Sequence, residues 1–109
     1  MKNIQLTCAH ALIKYLIAQK TLIDGKKVPL FPGVFGIFGH GNVACLGQAL
    51  QENQKDLPTW RGHHEQNMAL TGIAYSRAKR RKHIFVATSS VGPDSPNMIT
   101  AAAVAMSNR

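Results

Sequence analysis

Three short clusters hold most of the residue types that bind or transform small molecules: Gly39-His40-Gly41-Asn42, Gly62-His63-His64-Glu65-Gln66 and Ser89-Ser90-Val91-Gly92-Pro93-Asp94. A carboxylate such as Glu65 can give or take a proton. Glycines such as Gly39 and Gly41 let the backbone approach a ligand closely or take a positive φ. His63 and His64 have no partner at i, i+4 and no cysteine at ligand spacing, so the residues predict no metal site. By position alone, Glu65 reads as an acid compensating the dipole at a helix start. His63 and His64 read as polar residues at a strand end.

The elements that must position these clusters follow from apolar patterning. A first helix opens at Leu6-Thr7, with Thr7 as N-cap and an apolar stripe of Leu12, Ile13, Leu16 and Ile17. Asp24-Gly25 marks a tight turn within the polar stretch 21–27. Pro29 and Pro32 lead into Gly33–Phe38, a strand apolar on both faces. A helix carrying Val43, Leu46 and Leu50 follows and runs out near Asn53. A short strand spans Leu57–Gly62, a helix Glu65–Ala78 and a third strand His83–Thr88. Ser95-Pro96 pairs an N-cap with a proline at the first helical position. An alanine-rich last helix ends at Ser107-Asn108-Arg109.

Strands alternating with helices through short turns predict an α/β fold with a parallel sheet flanked by helices. In such sheets ligands gather at the carboxyl ends of the strands. All three polar clusters fall there. Three strands make a small sheet, so apolar surface near Ile84, Phe85 and Val86 is expected to stay uncovered, with an open edge that favours self-association.

With 109 residues there is room for one domain at most, and no apolar run reaches the length of a membrane span. Cys8 and Cys45 are far apart in sequence and read as ordinary thiols of a cytoplasmic protein. The net charge of +8 raises a nucleic-acid-binding alternative. Half of that excess sits in Lys79-Arg80-Arg81-Lys82, which suits a solvated helix end. Trp60, Tyr15 and Tyr75 are scattered in the sequence, and no aromatics interleave the basic run for base stacking. The charge therefore predicts neither a nucleic-acid nor a membrane partner.

His64-Glu65-Gln66-Asn67-Met68-Ala69 followed by Thr88-Ser89-Ser90-Val91-Gly92-Pro93-Asp94-Ser95-Pro96-Asn97 resembles the acetolactate-synthase-like group of thiamine-diphosphate-dependent enzymes. Together with Leu6-Thr7 and Gly33–Asn42, it is most similar to a hydrolase branch of that group which acts in myo-inositol breakdown. The resemblance covers essentially all of residues 1–109. It implies an incomplete N-terminal pyrimidine-binding domain, with central and diphosphate-binding domains elsewhere in the parent. Thiamine diphosphate would lie between the first domain of one subunit and the last domain of another, in a homo-oligomer. The parent would cleave a ring carbon–carbon bond of a cyclic dione hydrolytically, giving a deoxy-glucuronic acid. An acetolactate-synthase-like carboligase is the second reading within the class.

On this resemblance Glu65 matches the glutamate that hydrogen-bonds the cofactor's aminopyrimidine nitrogen, and it is the expected catalytic residue. Gly39, His40, Gly41, Ser90, Gly92, Pro93 and Asn97 complete the expected cofactor-binding set. His40 lies where substrate or the thiazolium region would be met, and Asn97 is expected to be structural at a helix N-terminus. Asp94 stands where the family carries a second glycine, and tolerance of left-handed backbone by aspartate would preserve the turn. The magnesium and diphosphate site, a Gly-Asp-Gly…Asn segment, is not in this sequence. It is expected in the C-terminal domain of the parent, so the chain alone is expected to be inactive.

Overall fold

A computed structural model describes residues 2–108. Helix α1, Cys8–Ala18, starts at Thr7, whose hydroxyl accepts the His10 backbone N–H at 3.2 Å. Ile13 is buried, with Leu16 and Ile17 packed beside it. Leu12 is 48 % exposed and does not join the stripe. Residues 16 and 17 lie three and four positions after Ile13, whereas Leu12 sits about 100° round the helix.

The stretch expected to be polar with a turn is in fact a β-hairpin. Strands β1, Lys20–Ile23, and β2, Lys26–Pro29, pair antiparallel with Ile23 opposite Lys26. Asp24 and Gly25 have φ of +51° and +77°, the double left-handed geometry that matches the twist of the flanking strands.

The parallel sheet is present, in the order β4-β3-β5, with β3 at Val34–Gly36, β4 at Thr59–Arg61 and β5 at Val86–Thr88. Val34 aligns with Thr59 on one side and Val86 on the other. Each strand is shorter than its apolar run. Pro32 and Pro58 delay pairing at the entries, since proline cannot donate to the ladder. Val34, Ile13, Ala49, Leu50 and Leu57 form the buried core under Phe31, Phe38, Leu46 and Val86.

After β3 the chain does not enter an α-helix directly. Val43–Gly47 is a π-helical turn, with Gly47 N–H donating to Asn42 O at 2.7 Å, and α2 follows over Gln48–Glu52. The extra residue rotates Val43 outward, to 59 % exposure, off the face shared with Leu50. Helix α3, Glu65–Ala78, packs on β5 and β3. A 3₁₀ segment over Gly92–Met98 leads into α4, Ile99–Ser107. Ser95-Pro96 therefore does not start the α-helix, and the Ser95 hydroxyl instead donates to Ser90 O at 2.9 Å. Arg109, taken as the helix end, lies outside the described residues.

The aromatics scattered in sequence are partly gathered. Phe85 stacks on Phe35 at 4.7 Å and meets Tyr75 edge-on at 4.7 Å and Trp60 at 5.7 Å. Tyr15 stays apart, largely exposed. No helix among the described residues is long and apolar enough to cross a membrane, and Cys8 and Cys45 are free and exposed. Of the surface expected to stay uncovered, Ile84 and Phe85 line a groove of about 750 Å³ between α3 and α4, beside β5. Val86 instead alternates to the other face and packs against the buried core.

Helix α1 is clasped to α2 by His10, whose Nε2 lies 2.6 Å from Glu52 Oε2. The hydrogen bond from His10, then that from Gln48, holds the Glu52 carboxyl below its ordinary value of 4.5. A depressed carboxyl stabilises the fold above its unfolded pKa, and that contribution disappears as pH falls through the folded value. His10→Ala is therefore expected to flatten the acid limb of stability below about pH 4.5, with the loss relative to wild type seen at neutral pH. Urea melts across a pH series check this; parallel acid limbs in the two proteins would contradict it.

Candidate functional site

Because β3, β4 and β5 run parallel, the turns that follow them all emerge at one edge of the sheet, and side-chain contacts bind those turns together. Gly39, after β3, lies so close to Ser90, after β5, that a Cβ on it would stand 2.5 Å from Ser90 Cβ. Only glycine permits this approach. Asn42 Nδ2 donates to Ser89 O at 2.9 Å and ties the same two turns a second time. Sequence reasoning passed over Asn42, although an amide closing a glycine turn was a signal for such a cross-link.

Glu65 is the first residue of α3 and is 6 % exposed. Its Oε2 accepts a hydrogen bond from Asn97 Nδ2 at 3.1 Å, joining the β4 turn to the segment after β5. No hydrogen bond from the described residues reaches its Oε1. The free N–H groups of the first helical turn favour a negative charge there. The arrangement is a shielded carboxylate with one oxygen fixed by a neutral donor and the other open to a ligand. It can accept a hydrogen bond from a nitrogenous ring or hold a proton for one.

The remaining expected residues divide by position. Ser90 is 5 % exposed, and its hydroxyl donates to the Asp94 carboxylate. Asp94 lies within the 3₁₀ segment and is not among the positive-φ residues. The left-handed position is Gly92, φ +82°, so the turn does not need the tolerance expected of Asp94. Gly41, φ +79°, supplies the other reversal. His40, Gly41, Gly92 and Pro93 are exposed on the rims of their turns. His64 is the N-cap of α3, its Nδ1 accepting the Gln66 N–H at 3.2 Å, and His63 is exposed. Asn97 does more than the expected structural duty at a helix start, since it holds the candidate acid itself. Among the described residues no group of three or more histidine, cysteine or acidic side chains is placed to hold a metal ion.

No family profile matches the chain, and no solved structure matches it. Curated relatives do. The chain is 48 % identical over 108 residues to a protein of Clostridium tetani and 50 % identical over 108 residues to one of Geobacillus thermodenitrificans. It is 48 % identical over 107 residues to one of Listeria innocua. All three are named 3D-(3,5/4)-trihydroxycyclohexane-1,2-dione hydrolase. The matches take in 98–99 % of this chain but 17 % of the length of each relative. Along nearly its whole length, this chain is therefore homologous to a 17 % stretch of the 3D-(3,5/4)-trihydroxycyclohexane-1,2-dione hydrolases.

Proposed function

We propose that the chain forms the pyrimidine-binding part of a thiamine-diphosphate-dependent hydrolase that opens the ring of 3D-(3,5/4)-trihydroxycyclohexane-1,2-dione in myo-inositol breakdown. The observation that carries this reading is the Glu65–Asn97 pair at the carboxyl edge of the sheet, in a chain of 48–50 % identity to the named hydrolases. The residues present fit an aminopyrimidine. Glu65 offers an oriented, shielded oxygen to a ring nitrogen, and the missing side chain of Gly39 lets the β3 and β5 turns close against each other beside it.

When bound, thiamine diphosphate supplies the electron sink that carbon–carbon cleavage needs. This chain's part is to hold a proton at Glu65 Oε1, to keep that carboxyl in place through Asn97, and to limit water around it. His40, on the exposed rim of the first turn, is positioned to meet the substrate side. Magnesium and the diphosphate are held outside these residues, in a domain of the parent supplied across a subunit contact. The isolated chain is accordingly inactive, and its free thiols suit the cytoplasm.

A chimaera tests the reading: the Geobacillus thermodenitrificans hydrolase with its 108 matched residues replaced by this chain. Ring opening is expected to require both thiamine diphosphate and magnesium and to release one new carboxylic acid per dione consumed. A folded chimaera with no activity, or one that opens the ring without the cofactor, would refute the proposal.

A further inference from the structure

The 3₁₀ segment Gly92–Met98 carries Asn97, whose amide holds Glu65. Little inside the segment fixes its own shape. Seven residues is long for a 3₁₀ winding, whose hydrogen bonds are poorly aligned and which seldom runs beyond about four residues. Pro96 sits within it and has no N–H to contribute. Asn97 is itself exposed, so water competes for its amide. The aim of that amide at a buried carboxylate must therefore come from ties made elsewhere along the segment.

Two such ties reach back to the β5 turn. Ser95 Oγ donates to Ser90 O at 2.9 Å, a neutral bond from an exposed residue. Ser90 Oγ donates to the Asp94 carboxylate, which outcompetes Val91 O, 3.5 Å away. A hydrogen bond to an ionised acceptor is about twice as strong as a neutral one. Ser90 is buried, which keeps competing water from its hydroxyl. Asp94 and Asn97 are three positions apart. In a winding of about three residues per turn such side chains eclipse, so both project from one face of the segment. One side chain pins the segment to the β5 turn, and the other reaches the start of α3. The whole link, from Ser90 through Asp94 and Asn97 to Glu65, lies within this chain.

We propose that Asp94 is a positioning residue. By clamping the segment to Ser90 it aims the Asn97 amide at Glu65, and so sets the reactivity of an acid with which it shares no hydrogen bond among the described residues. The effect on reactivity rests on the reading of Glu65 as the acid that faces the cofactor. An acid of the first turn with no such duty would act through the helix dipole alone, and any loss of its charge would have the same effect.

The link is read first in the 109-residue chain, as NMR exchange of the Asn97 side-chain amide protons with water. Asp94→Ala is expected to speed that exchange about tenfold, the change that loss of a hydrogen bond to a charged group brings. Asp94→Asn keeps an oxygen to accept from Ser90 and should stay within about threefold of the wild type. Ser90→Ala should match Asp94→Ala, and the double variant should be no worse than either. His10→Ala, which weakens the fold at the α1–α2 clasp, should leave the exchange unchanged. In the chimaera, Asp94→Ala should lower kcat about tenfold at unchanged KM for the dione, with Asp94→Asn restoring most of it. Exchange unmoved by Asp94→Ala overturns the inference, and so does equal acceleration by Asp94→Asn, the mark of a dipole effect. A loss of kcat without faster Asn97 exchange overturns it too. The expected exchange pattern beside an unsubstituted chimaera that does no chemistry would uphold the link and refute the functional reading of Glu65.

Discussion

In the chimaera with the Geobacillus thermodenitrificans hydrolase, Glu65→Gln is expected to lower turnover by about 10²–10⁴-fold, the usual worth of a positioned proton-transfer group. The substitution is chosen to isolate that property. Glutamine has the same shape, and its amide oxygen can still accept from Asn97, which now donates to Oε2 at 3.1 Å. The helix start loses a buried acid in its first turn, a change of up to about 2 kcal/mol. Urea melts account for that loss separately, while exchange of the thiazolium proton with deuterated solvent should slow in step with turnover. Exchange at the wild-type rate would remove Glu65 from its assigned role. Asn97→Ala is expected to do less, since it loosens the carboxyl without removing it.

Gly39→Ala should cost the fold about 3 kcal/mol, at the upper end of what overpacking exacts. The added methyl would sit 2.5 Å from Ser90 Cβ and 2.9 Å from its Oγ. Cβ is fixed to the backbone, so no rotamer change relieves the overlap. The ends of β3 and β5 must part, and the Asn42–Ser89 bond between the same turns is then stretched. Gly41→Ala and Gly92→Ala form the contrast. A Cβ at either meets nothing within 4 Å, so only the positive φ is penalised, by about 1–2 kcal/mol. Urea melts of the three variants should rank Gly39 as the most sensitive. Equal losses at all three would show that backbone conformation, rather than close approach, governs the site.

What could be read in the sequence was the alternation of apolar runs and polar turns, and it sufficed for the parallel sheet and for the edge where the turns meet. The place of Glu65 at that edge was legible, since a carboxylate at a helix start after a strand falls there in such a fold. Its role as an acid came only from the resemblance carried by the flanking motifs. Its partner was harder. Asn97 reaches Glu65 across 32 positions, and no periodicity encodes a contact made by the folding of one turn over another. The hairpin was missed because Lys20, Lys26 and Lys27 masked the alternation of Thr21 and Ile23, although Asp24-Gly25 was its clearest sign. The π turn was beyond pattern reading altogether. Val43, Leu46 and Leu50 fit an α-helical stripe, and the surplus residue shows in the backbone hydrogen bonds from Gly47 to Asn42 and from Gln48 to Val43.

That surplus residue bears on how homologous chains can differ in length. A helix that carries one position more than its winding requires can lose it without breaking the segments on either side. Deleting one residue within Val43–Gly47 would let the turn rewind as ordinary α-helix, with Ala49 and Leu50 still held in the core by Ile13 and Leu57. The stretch behind Gly39-His40-Gly41-Asn42 is therefore where a single-residue gap could enter an alignment of this chain with its relatives. Such a gap would turn the rim carrying His40 by about 100° relative to α2 and break the Asn42–Ser89 bond, altering what the rim presents while Ala49 and Leu50 keep their neighbours.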